Sequence, residues 1–185
     1  MNSTRRGFIK NASLLAAGAA LPVDALSFIQ RKVAATDKIR VALIGANGMG
    51  FNNLASFLKN PEIACTALCD VDKNVLDKRT KDLTELGAAA PKHFADYRKM
   101  LEYKDIDVVI IGTPDHWHCM QFVDSLEAGK HVYVEKPLGN SIAEINIMQK
   151  AAKRYGTMVQ VGQWQRSQPH FVDAIRFLKT GALGR

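Results

Sequence analysis

The chain has 185 residues, 47% of them hydrophobic and 23% charged, with three cysteines. Those proportions exclude a disordered tail, a collagen-like chain and a coiled-coil rod, and no stretch reaches the roughly 18 apolar residues of a membrane span. An odd cysteine count without paired spacing offers no disulfide scaffold. The net charge is +7, yet five basic residues against Asp24 alone place +4 of it in residues 1–34. The remaining +3 contains no run of Lys and Arg, so no nucleic-acid partner is expected. The length allows one domain, or one domain and a fragment of another.

Residues 1–25 have a basic start, a mildly apolar Ala- and Leu-rich run from Ala12 to Val23, and small residues around Ala25. That is the layout of a secretory signal, and the run is too short for an anchor. Cleavage is expected after Val23-Asp24-Ala25 or Val33-Ala34-Ala35. An amphipathic helix or a tail with two chance arginines is the alternative. Thr4-Arg5-Arg6-Gly7-Phe8-Ile9-Lys10 resembles the twin-arginine (Tat) export signal, with Ile9 in place of the usual Leu. The resemblance implies the Tat export machinery as a partner, a periplasmic location and export of the folded chain, its cofactor already inside.

From Lys38 the pattern alternates between strand and helix. Ile39–Ile44 is a short apolar run ending at Gly45, a buried strand. Phe51–Lys59 reads as a helix with Leu54, Phe57 and Leu58 on one face. Ile63–Cys69 is a strand, and Val71–Leu86 a helix stopped by Gly87. His93-Phe94 is a short strand and Tyr97–Tyr103 a short helix. Ile106–Ile111 is the strongest strand, followed by a helix over His116–Ala128. His131–Val134 is a strand. Ser141–Tyr155 is a helix, with Ser141 and Glu144 as a capping box. Met158–Val161 and Pro169–Lys179 complete the series as strand and helix. The alternation predicts an α/β fold, a doubly wound parallel sheet of Rossmann type with right-handed crossovers.

The loop Gly45-Ala46-Asn47-Gly48-Met49-Gly50 lies between the first strand and its helix, where a dinucleotide fold places its phosphate loop. There the chain must turn sharply, approach a pyrophosphate and offer it helix N–H groups. Asn47 stands where the fingerprint wants Gly, and Asn tolerates a positive φ better than most residues. Asp70 ends the second strand 20 residues after Gly50, at the place of the acid that binds the adenosine ribose. Its charge would oppose a 2′-phosphate, so NAD is expected over NADP, although Lys73 is near. The alternative is a tight glycine turn with Asp70 merely capping the second helix.

Three further clusters follow later strands: Thr113-Pro114-Asp115-His116-Trp117-His118-Cys119, Glu135-Lys136-Pro137, and Gly162-Gln163-Trp164-Gln165-Arg166-Ser167. His116, His118 and Cys119 are zinc-ligand types. His116 and His118, two apart at a helix start, diverge and no second cluster follows, so no metal is expected. Cys65 and Cys69 read as core thiols, Trp117 and Trp164 as packing or pocket walls.

Taken together, the glycine loop, Asp70 and these three clusters resemble the Gfo/Idh/MocA oxidoreductases from about Lys38 onward. The resemblance implies that Gly45, Asn47, Gly48, Met49, Gly50 and Asp70 hold the cofactor, and that Thr113, Pro114 and His118 line it. Glu135 would contact the nicotinamide ribose, and the Lys136–Pro137 bond would be cis, as is common in that family. Lys136 would be the catalytic acid/base at a sugar, cyclitol or polyol hydroxyl, with Arg166 near the substrate. Oxidising an alcohol removes a hydride from carbon and a proton from oxygen. An amine beside a nicotinamide cation, partly desolvated, is suited to take that proton. Without the resemblance Lys136 would read as a surface lysine.

The same resemblance divides the chain into a leader and linker over 1–34, a cofactor domain over 35–161 and the opening of an α+β substrate domain with an open antiparallel sheet over 162–185. That domain would bring a further Asp and His and usually forms the homo-oligomer. The chain is therefore expected to be an N-terminal fragment, binding NAD with little or no turnover alone. Two alternatives remain: an NAD-dependent glycosidase of the same fold, whose members tend to lack the lysine at Lys136, and a non-catalytic NAD-binding module.

Overall fold

The structure, a computed structural model, describes residues 38–184. The export leader expected over residues 1–34 lies outside them. Six parallel strands form one sheet in the order β3-β2-β1-β4-β5-β6. They are β1 Ile39–Ile44, β2 Ile63–Cys69, β3 Lys92–Phe94, β4 Val108–Ile111, β5 His131–Glu135 and β6 Val159–Gly162. The helices are α1 Gly48–Phe57, α2 Lys73–Glu85, α3 Tyr97–Leu101, α4 His118–Glu127, α5 Ile142–Tyr155 and α6 Pro169–Lys179. From β1 the chain winds outward one way through β2 and β3, then returns to wind the other way through β4, β5 and β6. The reversal between β1 and β4 is the switch point where such sheets bind ligands.

Strand alternation divides the core in two. Val41, Leu43, Leu68 and Ile110 meet Leu54 of α1 and Leu83 of α2 on one face. Ala42, Ile44, Val109 and Ile111 meet Phe122 and Leu126 of α4 and Met148 of α5 on the other. Buried on both faces, the central strands read as continuous apolar runs rather than alternating ones. Cys65 and Cys69 belong to this core, as expected, and burial pushes both thiols up to about 12.

Several boundaries differ from expectation because polar side chains set them. α1 begins at Gly48 rather than Phe51, since Asn47 caps it and accepts the Gly48 N–H. α2 begins at Lys73 rather than Val71, because Asp72 caps it through the Asn74 N–H. β4 starts at Val108, after Asp107 turns its carboxylate onto Arg40. His116 falls in a 3-10 turn, Asp115–Trp117, and α4 follows from His118. Ser141 caps α5 through the Glu144 N–H, but the Glu144 carboxylate reaches the Asn140 N–H instead of closing the box on Ser141.

At the amino ends of the strands Arg40 grips Asp107 with its backbone N–H, Nε and Nη2, and Asp105 with Nη1. This fork fixes the start of β1 against the entry to β4. Those hydrogen bonds from Arg40 hold the Asp107 carboxyl below the usual carboxylate range, against the opposing effect of burial. A depressed folded-state value stabilises the fold above the ordinary carboxylate pKa, and the contribution fades as pH falls through the depressed value. Asp107→Asn should therefore lower the urea midpoint at pH 7 and make its decline in acid shallower. A decline as steep as that of the parent chain would remove Asp107 from the acid transition.

Candidate functional site

The carboxyl ends of β1, β2 and β4 enclose a cleft of about 450 Å³, lined by Gly45, Asp70, Val71, Thr113, Pro114 and Trp117 among others. A larger groove of about 1100 Å³ lies at the opposite end of the sheet. The Arg40–Asp107 pair stands at its rim, whereas the smaller cleft lies at the switch point, beside Gly45 where the chain turns toward α1.

The glycine loop is built by backbone contact. Gly45 has φ +80°, and a Cβ there would stand 2.7 Å from the Thr113 nitrogen. A Cβ on Gly50 would stand 2.2 Å from the Gly45 carbonyl oxygen, and one on Gly112 2.4 Å from the Gly50 Cα. The end of β1, the first turn of α1 and the end of β4 thus touch without side chains between them. Asn47 does not take the positive φ expected of it. Its φ is −97°, and Gly48 carries the left-handed turn at +48°. The pattern places a cap at the third position and shifts the turn one residue on. The first-turn N–H groups beyond Gly48 have no partner inside the helix, which suits an anion.

Asp70 sits half-buried beside the loop. Its Oδ2 accepts the Ala46 N–H at 2.8 Å and its Oδ1 the Asp72 N–H at 3.0 Å. The cap of α2 is Asp72, so Asp70 ties the loop to β2 rather than capping the helix. Each carboxylate oxygen keeps a second lone pair for a ribose hydroxyl. Lys73, the competing cation, is ion-paired with Asp77 one turn along α2.

The loops after β4 and β5 are joined by His118, which is buried. Its Nδ1 lies 2.7 Å from the Pro137 carbonyl oxygen and its Nε2 2.9 Å from that of Thr113. Thr113 donates its hydroxyl to Gln121 of α4 at 2.7 Å. His116, by contrast, is exposed, so the two histidines face apart. Trp117 lines the cleft, while Trp164 and Arg166 stand on an exposed 3-10 turn, Trp164–Ser167. Arg166 bonds Gln163, and no contact among the described residues brings it to Lys136.

Glu135 is 4% exposed at the end of β5. Its Oε1 accepts from Asn53 Nδ2 of α1 at 2.7 Å, and its Oε2 accepts the Lys136 N–H at 3.0 Å. Burial first, and the Glu135 charge second, push the neighbouring Tyr133 phenol up. Gly162 closes this pocket, since a Cβ there would stand 2.7 Å from both Glu135 Oε1 and the Tyr133 hydroxyl. The Lys136–Pro137 bond is cis. The Lys136 side chain is exposed, so desolvation of its amine would have to come from a ligand or from chain outside the described residues.

Three residues of this frame carried no sequence signal: Asn53, which holds Glu135, Tyr133, which lies beside it, and Arg79, which touches the glycine loop from α2. Arg79 and Asn53 read as solvated helix positions, and Tyr133 as strand core.

A parallel sheet with a glycine loop at the switch point and an acid after β2 is the frame of a dinucleotide-binding fold. The chain belongs to the Gfo/Idh/MocA oxidoreductase family, with an NAD-binding Rossmann fold, whose pattern matches residues 39–163. A "Glycosyl hydrolase family 109 protein" of Shewanella pealeana is 33% identical over 162 residues, 78% of this chain and 36% of that protein. Myo-inositol 2-dehydrogenase of Lactobacillus plantarum superposes with a TM-score of 0.71 at 26% identity, covering 80% of this chain and 43% of that one. Scyllo-inositol dehydrogenase of Lactobacillus casei, with bound NAD(H) and scyllo-inositol, gives 0.68 at 29% identity, covering 80% and 42%. The chain spans less than half the length of each.

The two inner glycines should respond differently to alanine. At Gly50 the added methyl meets backbone that has no room to move, costing on the order of 2–3 kcal/mol. At Gly48 the space is open and only the left-handed φ opposes a side chain, costing about 1–2 kcal/mol. Chemical denaturation of both variants measures the difference, and equal losses would refute the close-packing account.

Proposed function

We propose that the protein is an NAD-dependent oxidoreductase that moves a hydride between a sugar, cyclitol or related polyol and nicotinamide, with Lys136 as acid/base. The observation that carries this reading is Lys136 itself. It stands at the carboxyl end of β5, its backbone N–H held by buried Glu135, at the same end of the sheet as the glycine loop. When bound, the nicotinamide supplies the ring that accepts the hydride. Gly45–Gly50 and Asp70 would hold the dinucleotide, Thr113, Pro114 and His118 would shape the loop beside it, and Lys136 would take the proton from the substrate oxygen. Glu135 faces inward onto Asn53, so on this reading its first task is to position Lys136, and a ribose contact would use its remaining lone pairs. Arg166 is retained only as a candidate substrate contact.

NAD is favoured over NADP because Asp70 faces the ribose position while Lys73 and Arg79 are each paired to an aspartate. On the same reading residues 162–185 open a substrate domain. In support, α6 buries none of its residues, and Phe171, Ile175 and Leu178 lie exposed at the i, i+4, i+7 spacing of one helix face. The association of copies through that domain and export by the Tat route through residues 1–34 complete the proposal. Both rest on the sequence.

The glycosidase reading is favoured by the description of the Shewanella relative. Against it stands Lys136, which the glycosidases implied by the resemblance tend to lack. Net NADH formation with polyols, set against glycoside cleavage, separates the two in the complete gene product. In that protein Lys136→Met should cut turnover roughly 10²- to 10⁴-fold while NAD affinity stays near the parent value. Unchanged turnover would remove Lys136 from the chemistry. Asp70→Ala should narrow the preference for NAD over NADP in calorimetric titration, and an unaltered ratio would place the selectivity elsewhere.

A further inference from the structure

Arg79 comes from the second turn of α2, and its side chain is 15% exposed. Its guanidinium uses all three nitrogens in one plane. Nε donates to the Ala46 carbonyl at 3.1 Å, Nη2 to Asn47 Oδ1 at 3.2 Å, and Nη1 to Asp82 Oδ2 at 2.7 Å. The same group lies over the Phe51 ring, 4.3 Å from its centroid. Ala46 is thereby gripped at both ends, its N–H by Asp70 and its carbonyl by Arg79. Asn47 Oδ1 is shared between Arg79 and the Gly48 N–H that it caps.

We propose that Arg79 is a positioning residue for the nucleotide's phosphates, acting through the glycine loop. The inference rests on the reading that this loop binds a nicotinamide dinucleotide. Residues 46–48 lie immediately ahead of the α1 N–H groups that would meet an anion, and Gly48 adds a freely turning residue there. A loop ordered before the ligand arrives loses less conformational freedom on binding. Packing Phe51 alone would need only an aliphatic chain. What the guanidinium adds is a rigid fork that holds a backbone carbonyl and a capping side chain together, which a lysine ammonium cannot reproduce. Asp82 sets the orientation of that fork from the next turn of α2.

The test is calorimetric titration of the whole chain with NAD, paired with amide hydrogen exchange of the ligand-free chain. Arg79→Met should raise the NAD Kd by roughly ten- to a hundredfold, the range carried by loss of one charged hydrogen bond. It should also quicken exchange at residues 46–49 without doing so in β4. Arg79→Lys keeps the charge and a long aliphatic stem, and serves if the Met variant folds poorly. It should restore little of the affinity. Asp82→Asn removes the charge that orients the fork but leaves Arg79 in place, so it should weaken NAD binding less than Arg79→Met does. Parent-like affinity in Arg79→Met, or full recovery in Arg79→Lys, would overturn the proposal. A parent chain that fails to bind NAD, with exchange still quickened by Arg79→Met, would keep the brace and overturn the cofactor reading instead.

Discussion

Three glycines meet where β1 and β4 end, and their backbones approach more closely than any side chain would permit. The Gly45 carbonyl occupies the place of a Cβ on Gly50, and the Gly50 Cα crowds that of a Cβ on Gly112. This contact draws the N-terminus of α1 down onto the sheet at the point where the winding reverses. Leu54, one turn along α1, is then carried into the core against Leu43 and Ile110. Had a side chain stood at any of the three positions, α1 would ride outward and its first-turn N–H groups would leave the cleft. The fold's hydrophobic packing and the placement of the α1 N-terminus therefore share one steric condition.

The two ends of the sheet divide the work. At the amino ends Arg40 binds Asp105 and Asp107, and Lys130 donates to the Ile106 carbonyl, so charges are consumed in holding strand entries together. At the carboxyl ends the polar groups hold loops instead. The larger groove belongs to the first end and the smaller cleft to the second, so the proposed site is chosen on other grounds than volume. A helix terminus, a partnered acid beside a turn and a backbone laid open by glycine are the better indicators.

Much of this was legible in the residues. The strands showed because burial on both faces makes them continuous apolar runs, and β4 was the plainest since it is β-branched throughout. The glycine loop and Asp70 showed because each needs a particular residue type at a fixed spacing, whereas Lys136 stood out only through the family resemblance. Helix starts were less legible, because Asn47 and Asp72 act as caps whose reach depends on the turn before them. The expected positive φ at Asn47 failed because its neighbour Gly48 makes the same turn without steric cost. Arg79, Asn53 and Tyr133 could not be read at all. Their partners lie 33, 82 and two residues away, and only the Tyr133–Glu135 spacing is local, hidden in an ordinary strand alternation.

The loops at this end of the sheet are each fastened by a side chain. Asp70 and Arg79 hold Ala46, His118 spans the Thr113 and Pro137 carbonyls, and Glu135 holds the Lys136 N–H. Fastening backbone rather than side chains fixes position while leaving the functional groups unspent. The case of Lys136 is the clearest. Its backbone is bound on one side through Glu135 to Asn53 of α1 and followed on the other by the carbonyl that His118 faces. Among the described residues its ammonium makes no hydrogen bond or ion pair. On the proposed reading, in which Lys136 moves a proton, this arrangement would help, because a rigid mount limits the conformational freedom lost on engaging a substrate while an unpaired head has no partner to surrender.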